Sequence, residues 1–383
     1  MKNFFNFIVL FFVFSACSKS ESKSYLQPTD PDNAQETVCL SLSQMARIFA
    51  ALPIGEEQMD EVRNAVSGSS DQGYDEEYTL KNLLSAPGCG LGESNTKATS
   101  YQRPMRDLLT EYLNSTHTKA DKGPSPEQIL TELENSDYQI YWPYSEDWDG
   151  ETMPIITYDP MIETEYNFGY RMRRDKATGQ IQVDTIVVDE SVARDNPVWV
   201  VNNNRDAEAT PLQAFIPDPQ SIKPNGLNRI LRMKNFTMLR NYDPWFKGGS
   251  EFVIKCGSVN GFVAQTEAEL KLYNPSITEF VVVVRRKDLK KKLDYDAILL
   301  TNFTNQLDQL AFLITEDDGG TMTSWKCSAV VKIKSKSYGF DIDLPFRDKD
   351  DIVWRGQLSA SYFQSEDIVT GRFGDVEMTF QLE

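Results

Sequence analysis

The sequence predicts a multidomain α+β protein with a helical N-terminal module, a small β module and a C-terminal antiparallel β-sandwich. Three observations support this: apolar residues first recur at helical spacing, the period then changes to alternation, and short strands with loop signals fill the C-terminal part. The predicted divisions are a signal peptide (1–16), a lipidated tether (17–36), a helical module (37–136), a β module (137–204), a linker (205–227) and the sandwich (228–383).

The helical module is predicted from apolar stripes and from one strong start signal. In VCLSLSQMARIFAAL, one helix face collects Val38, Leu42, Met45, Phe49 and Leu52. In SPEQILTELEN, Ser125 is the expected N-cap, Pro126 occupies the first helical position and Gln128 completes a capping box. These signals predict a small bundle of about four helices.

Alternating apolar residues and turn signals predict the strands that follow. In the β module we expect strands at 154–158, 166–172, 180–188 and 198–201. In the sandwich we expect strands at 230–239, 251–256, 268–273, 279–286, 297–303, 309–315, 326–334, 338–344, 352–362 and 376–382.

The run 281–284 consists of four valines, so it is apolar on both faces and is predicted to lie centrally in its sheet. The basic turn RRKDLKKKLD follows it. A turn of this kind is typical of a solvated loop whose lysines protect a sheet edge, and the alternative is a site for phosphate or a lipid headgroup.

The N-terminus predicts export. Lys2 precedes a short apolar run that is too short to span a bilayer, as expected for a secretory signal. The stretch FSAC resembles a bacterial lipobox, which implies that Cys17 is diacylated and becomes the first mature residue. Ser18 after it favours the outer membrane by the same resemblance. The alternative is a plain signal with a chance cysteine.

Charge and composition restrict the class of partner. The formal net charge of −18 argues against a nucleic-acid partner, and it is compatible with cation binding or with solubility alone. The single histidine, His117, lies in a polar loop, and no nucleotide-binding or nucleophile motif occurs. Zinc sites that use several histidines are excluded by count.

Four cysteines remain beside Cys17, an even number that permits two disulfides in an exported protein. Cys256 and Cys327 both fall in predicted strands of one domain and form the more plausible pair. Cys39 and Cys89 are the other candidates. Free thiols are the alternative for each pair.

Two loops in the C-terminal part resemble the cation-binding loops of C2 domains. The stretch DPWFKGGSEFVIK is similar to the first such loop, and LAFLITEDDGG is similar to the third. The resemblance implies a weak Ca²⁺ site formed by Asp243, Glu316 and Asp318, with Asp317 and Asp308 as further candidates. Strand alternation points Glu316 and Asp318 the same way.

The chain departs from that pattern where Gly249 and Ser250 stand in place of an aspartate. The alternative interpretation is that the two Gly-Gly pairs supply positive-φ turn positions. The order of strands and loops is also similar to that of secreted bacterial proteins of unknown function, a family that carries no activity over to this chain.

An aromatic cluster offers a different kind of site. Tyr141, Trp142 and Trp148 could stack on sugar rings, and the alternative is a core patch. The sequence therefore predicts a lipid-anchored cell-envelope protein with a binding or structural role. The alternatives are a glycan-binding surface lipoprotein and a carboxylate-dependent hydrolase, and a glycan or protein partner is not identified.

Overall fold

The computed structural model describes residues 40–85, 101–116, 124–162, 164–174, 181–203, 210–213 and 229–383. Seven helices are described in these ranges: α1 (Leu42–Ala51), α2 (Glu56–Asp71), α3 (Leu80–Leu83), α4 (Met105–Thr116), α5 (Pro126–Asn135), α6 (Glu190–Asp195) and α7 (Ala360–Gln364). None of the helices in this part of the chain combines the length and the apolar character of a membrane-crossing segment.

The helix ends follow from local chemistry. Ser41 caps α1 and Ser125 caps α5, each in a capping box with the glutamine three residues later. The start predicted at Ser125, with Pro126 in the first turn, is confirmed. Each box satisfies backbone N–H groups that would otherwise lack partners, which is worth about 1 kcal/mol.

The first sheet contains six strands: β1 (Glu77–Thr79), β2 (Tyr138–Tyr141), β3 (Ile155–Tyr158), β4 (Tyr166–Arg174), β5 (Ile181–Asp189) and β6 (Val198–Asn203). Their order is β1-β2-β6-β3-β4-β5, and all neighbours are antiparallel except β3 and β6. Strand β1 belongs to the helical part of the sequence yet pairs with β2. The helices and this sheet consequently share one core, in which Phe49, Trp142 and Trp199 are fully buried.

Ten strands form the C-terminal part: β7 (Arg229–Met238), β8 (Ser250–Ser258), β9 (Ser276–Val284), β10 (Leu293–Phe303), β11 (Leu307–Glu316), β12 (Met322–Ile333), β13 (Lys336–Arg347), β14 (Asp351–Ser359), β15 (Ile368–Phe373) and β16 (Val376–Leu382). One antiparallel sheet has the order β10-β7-β16-β15. The other has the order β13-β12-β11-β8-β9, and β14 also pairs with β11.

The two C-terminal sheets enclose a common hydrophobic core, an arrangement compatible with a β-sandwich. Phe236 of β7 contacts Phe252 of β8 with ring centroids 5.0 Å apart, and Phe312 of β11 lies 6.0 Å from Phe380 of β16. These aromatic pairs connect the sheets and make the largest side chains part of one apolar interior.

The valine run 281–284 does not lie centrally in its sheet, although the sequence predicts that it does. Residues 281–284 lie in a strand whose only described strand partner is β8, so the run is at an edge and not central. At this edge of the sheet, the backbone N–H of Leu212 donates to the carbonyl of Val281 (2.8 Å), and the Leu212 side chain packs against the core. The short segment 210–213 therefore covers this edge of the sheet, where the sequence predicts a neighbouring strand.

Two other predicted strands differ from the structure. Residues 268–273 belong mainly to a 3₁₀ helix, Glu267–Leu272, in which the Thr266 carbonyl accepts from the Glu269 N–H (3.2 Å). The strand predicted at 352–362 ends at Ser359, whose hydroxyl accepts from the Ser361 N–H and caps α7. Strand β15 was not predicted from the sequence.

Candidate functional site

Three carboxylates meet at one end of the C-terminal sheets. Asp243 lies in the loop after β7, Glu251 at the start of β8 and Glu316 at the end of β11. One carboxylate oxygen from each lies within 4.8 Å of the other two. We call Asp243, Glu251 and Glu316 the acidic cluster. Acid side chains at this spacing can share a single cation.

Glu316 is buried because β11 has a neighbour on both sides at this end. It is opposite Phe252 on β8 and Asp351 on β14, and it is fully shielded from solvent. Among the described residues, no N–H or O–H group donates to either of its carboxylate oxygens. Burial raises the pKa of Glu316 far above the ordinary carboxyl range, and the neighbouring Asp243 adds to the rise through a hydrogen bond with the protonated form and through its negative charge.

A lysine lies at the mouth of the cluster. The Lys247 ammonium is 2.9 Å from Asp243 Oδ1 and 3.7 Å from Asp318 Oδ1. Burial and the nearby charge of Asp243 raise the pKa of Asp318 to about 6, while Lys247 opposes that rise. Lys247 therefore partly neutralises the cluster, and a metal ion would have to displace its ammonium.

The predicted cation ligands are in part brought together. Asp243 and Glu316 share the acidic cluster, and Asp318 joins it through Lys247. Asp317 instead faces Arg347 (3.4 Å), and Asp308 pairs with Lys332 (2.7 Å). The latter two residues thus have cationic partners of their own.

Sequence reasoning missed Glu251. The C2 pattern expects an acid before the second strand, and this chain offers one inside it, two residues after Gly249. The signal that could have identified Glu251 is its position directly after Gly248, Gly249 and Ser250. It was overlooked because alternation alone did not indicate that the side chain faces the two loops.

The pair Gly248-Gly249 allows close contacts with neighbouring parts of the chain. Gly248 has φ +110°, and a Cβ there would lie 2.7 Å from Asp75 Oδ2. The Gly249 N–H donates to the same oxygen (2.6 Å), and a Cβ on Gly249 would lie 2.3 Å from the Val284 carbonyl oxygen. Gly248 permits the close approach of Asp75 and Gly249 permits that of the Val284 backbone, and of these two glycines only Gly248 has a positive φ.

The basic turn after β9 combines buried ion pairs with an exposed run of lysines. Arg286 pairs with Glu190 (3.0 Å), and Lys287 pairs with Glu76 (3.0 Å) and with Glu146. The Arg286 side chain is 7% exposed and that of Lys287 is 15% exposed. The first half of the turn is therefore a partly buried ionic contact with the N-terminal part of the chain, whereas Lys290, Lys291 and Lys292 are exposed, as the solvated-loop interpretation expects.

The carboxyl groups around Lys287 differ in acidity. Burial, together with the neighbouring Glu146, raises the pKa of Glu76. Burial also disfavours the charged form of Glu146, yet hydrogen bonds with Glu76 and Lys287 outweigh it and lower the pKa of Glu146. Because Glu76 and Glu146 hydrogen-bond to each other as well as to Lys287, their carboxyl groups lie closer together than the separation of about 5 Å or more in a glycosidase.

Two aromatic candidates for sugar stacking are closed to solvent. Tyr141 is 1% exposed and Trp142 is fully buried. Trp148 is half-buried, packs edge-on against Trp142 at 5.9 Å and donates its indole N–H to the Thr152 carbonyl. Tyr141 and Trp142 therefore belong to the core, as the alternative interpretation held, whereas Trp148 is partly exposed.

Cys256 and Cys327 are both free thiols, so this structure does not contain the disulfide expected between them. Burial raises the pKa of the Cys256 thiol, and burial together with the charge of Asp343 raises the pKa of Cys327 to about 11. Both thiols are therefore unreactive at neutral pH. Cys17, Cys39, Cys89 and His117 lie outside the described residues.

The chain matches no protein-family model and no curated protein sequence.

Proposed function

We propose that this chain is a lipid-anchored cell-envelope protein with a binding role, and that its two C-terminal sheets form a C2-like β-sandwich carrying a Ca²⁺ site. The ligands are Asp243, Glu251 and Glu316, and Asp318 is a further ligand once Lys247 moves away. The envelope location, most plainly the outer membrane, rests on the lipobox-like FSAC and on Ser18.

The observation that best supports the cation site is the burial of the Glu316 carboxyl group. A fully buried carboxylate is costly when no N–H or O–H group in the described part of the chain donates to it, and a bound cation would offset that cost. Two more carboxylates have oxygens within 4.8 Å. Ca²⁺ prefers six to eight oxygen ligands at about 2.3–2.6 Å, with water completing such a set.

Calcium is expected to stabilise the folded protein. If the dissociation constant is about 10 μM, 1 mM Ca²⁺ adds about 2.7 kcal/mol by mass action, which raises the melting temperature by several degrees. The measurement is thermal unfolding of the purified protein in 1 mM Ca²⁺, in 1 mM Mg²⁺ and in EDTA. Mg²⁺ should have a smaller effect because it demands near-ideal octahedral geometry. Identical melting curves in 1 mM Ca²⁺ and in EDTA would refute the site.

If Cys17 carries the lipid anchor, replacing it should have an effect that replacing Cys327 does not have. Replacing Cys17 with alanine should abolish incorporation of labelled palmitate and release the protein from the membrane pellet. Two or three acyl chains anchor a protein stably because each buried CH₂ contributes about 0.8 kcal/mol. Cys327→Ala is the matched control and should keep both the label and the membrane fraction. Full labelling of the Cys17→Ala protein would contradict the anchor.

A further inference from the structure

A polar cavity lies away from the acidic cluster, between helix α2, the 3₁₀ turn Ser145–Asp147 and the basic turn after β9. Its volume is about 490 Å³, which lies in the range of small-molecule sites. All of the side chains that line it are charged or carry a hydroxyl or amide group. A cavity with this lining suits a small, strongly hydrophilic ligand.

Most charges in this cavity are already paired. Glu76 and Glu146 hold Lys287, and Asp288 holds Arg285 (2.7 Å) and Lys291 (3.1 Å). The remaining acid, Asp71, is exposed at the end of α2. The three paired acids and the three paired cations cancel, so the less exposed of the two remaining charges decides which ligand fits.

That charge is the guanidinium of Arg63. No ion pair joins Arg63 to an acid in the described ranges, and its guanidinium lies over the Trp148 ring at 6.0 Å from the centroid. Arg63 is half-buried on the face of α2 that lines the cavity. An aromatic ring under the guanidinium fixes its position while leaving its N–H groups available for a ligand.

Arg285 supplies a second guanidinium to the same cavity. Its Nε donates to Asp288 Oδ2 (2.7 Å) and its Nη1 to Ser70 Oγ (2.8 Å). Among the described residues, no bond is made by its Nη2. Two guanidinium groups that line one cavity form a favourable site for a carboxylate or a phosphate, which they bind through paired N–H···O bonds.

We propose that this cavity binds a small anionic sugar, holding its carboxylate or phosphate group between Arg63 and Arg285. Asn64, Ser67 and Glu146 supply the donors and acceptors for the hydroxyl groups. The site is independent of the acidic cluster, since none of its residues belongs to that cluster.

The test is isothermal titration calorimetry of the full-length protein, purified in detergent with EDTA to keep the acidic cluster free of metal. The probes are D-glucuronate, D-glucose 6-phosphate and neutral D-glucose. We expect at least one charged probe to bind at least tenfold more tightly than D-glucose, and comparison of the two charged probes distinguishes a carboxylate from a phosphate ligand.

Arg63→Gln should weaken binding of the preferred probe at least tenfold, and Arg63→Lys should weaken it less because the charge remains. The matched control is Arg103→Gln, since Arg103 pairs with Glu111 on the surface and does not line the cavity. Circular dichroism checks that each variant folds. The proposal is overturned if no probe binds at 10 mM, if D-glucose binds as tightly as the charged probes, or if Arg63→Gln binds like the wild type.

Discussion

Replacing Glu316 with glutamine is expected to stabilise the metal-free protein by about 3 kcal/mol at pH 7 while abolishing Ca²⁺ binding. In the unfolded chain this carboxyl group ionises near its ordinary pKa of 4.5, and in the folded protein burial and Asp243 raise its pKa. Above that pH the folded state therefore holds a proton that the unfolded state has lost. Stability falls as the pH rises through this range, and glutamine removes the loss.

Urea unfolding in EDTA at pH 4, 5.5 and 7 measures the first effect, and Ca²⁺ calorimetry measures the second. The advantage of Glu316→Gln should disappear near pH 4, where both states are protonated. Glu377→Gln, on the exposed face of β16, is the control and should change neither quantity. A destabilised Glu316→Gln protein at pH 7, or one with unchanged Ca²⁺ affinity, contradicts the expectation.

Lys287→Met is expected to destabilise the protein by about 3 kcal/mol, because it leaves the 4% exposed Glu76 without its cation. The loss should be largest at high pH, where Glu76 is ionised. It should shrink at low pH, since burial raises the pKa of Glu76 and protonation then removes the unpaired charge. The measurement is urea unfolding between pH 5 and pH 8.

Two further variants make this expectation specific. Lys291→Met removes a lysine whose side chain is 60% exposed, and it should cost no more than about 0.5 kcal/mol. The double variant Glu76→Gln, Lys287→Met should recover most of the stability lost in Lys287→Met, because the charge of Glu76 is removed together with its cation. If the two single lysine variants lose equal stability, the buried ion pair is not the cause.

Features that depend on residues close together in the chain could be predicted from the sequence. The capping box of Ser125 and Gln128 is local, and strand alternation located most of the strands in both parts of the chain. The two loops that contain Asp243 and Glu316 were also brought together as their resemblance to C2 loops implied. In each case the signal lies within about a dozen residues.

Features that depend on distant partners could not be predicted. Four valines in a row reveal that both faces of a strand meet apolar surroundings, but not whether its edge meets a strand or the segment at Leu212. The same holds for the basic turn, since the acids that bind it lie at Glu76, Glu146 and Glu190. Aromatic residues occur both in cores and at binding surfaces, so the sequence alone does not decide the role of Tyr141 and Trp142.

The contact between Asp75 and Gly249 has a consequence for the order of folding. The two residues are 174 positions apart, and Glu76 is 211 positions from Lys287. At about 5–20 residues per second, a ribosome needs roughly 9–35 s to add the segment that separates Asp75 from Gly249. During that time Asp75 lacks its contact with Gly249, and Glu76 lacks its contact with Lys287, so these two contacts form late in synthesis. High contact order of this kind also slows refolding.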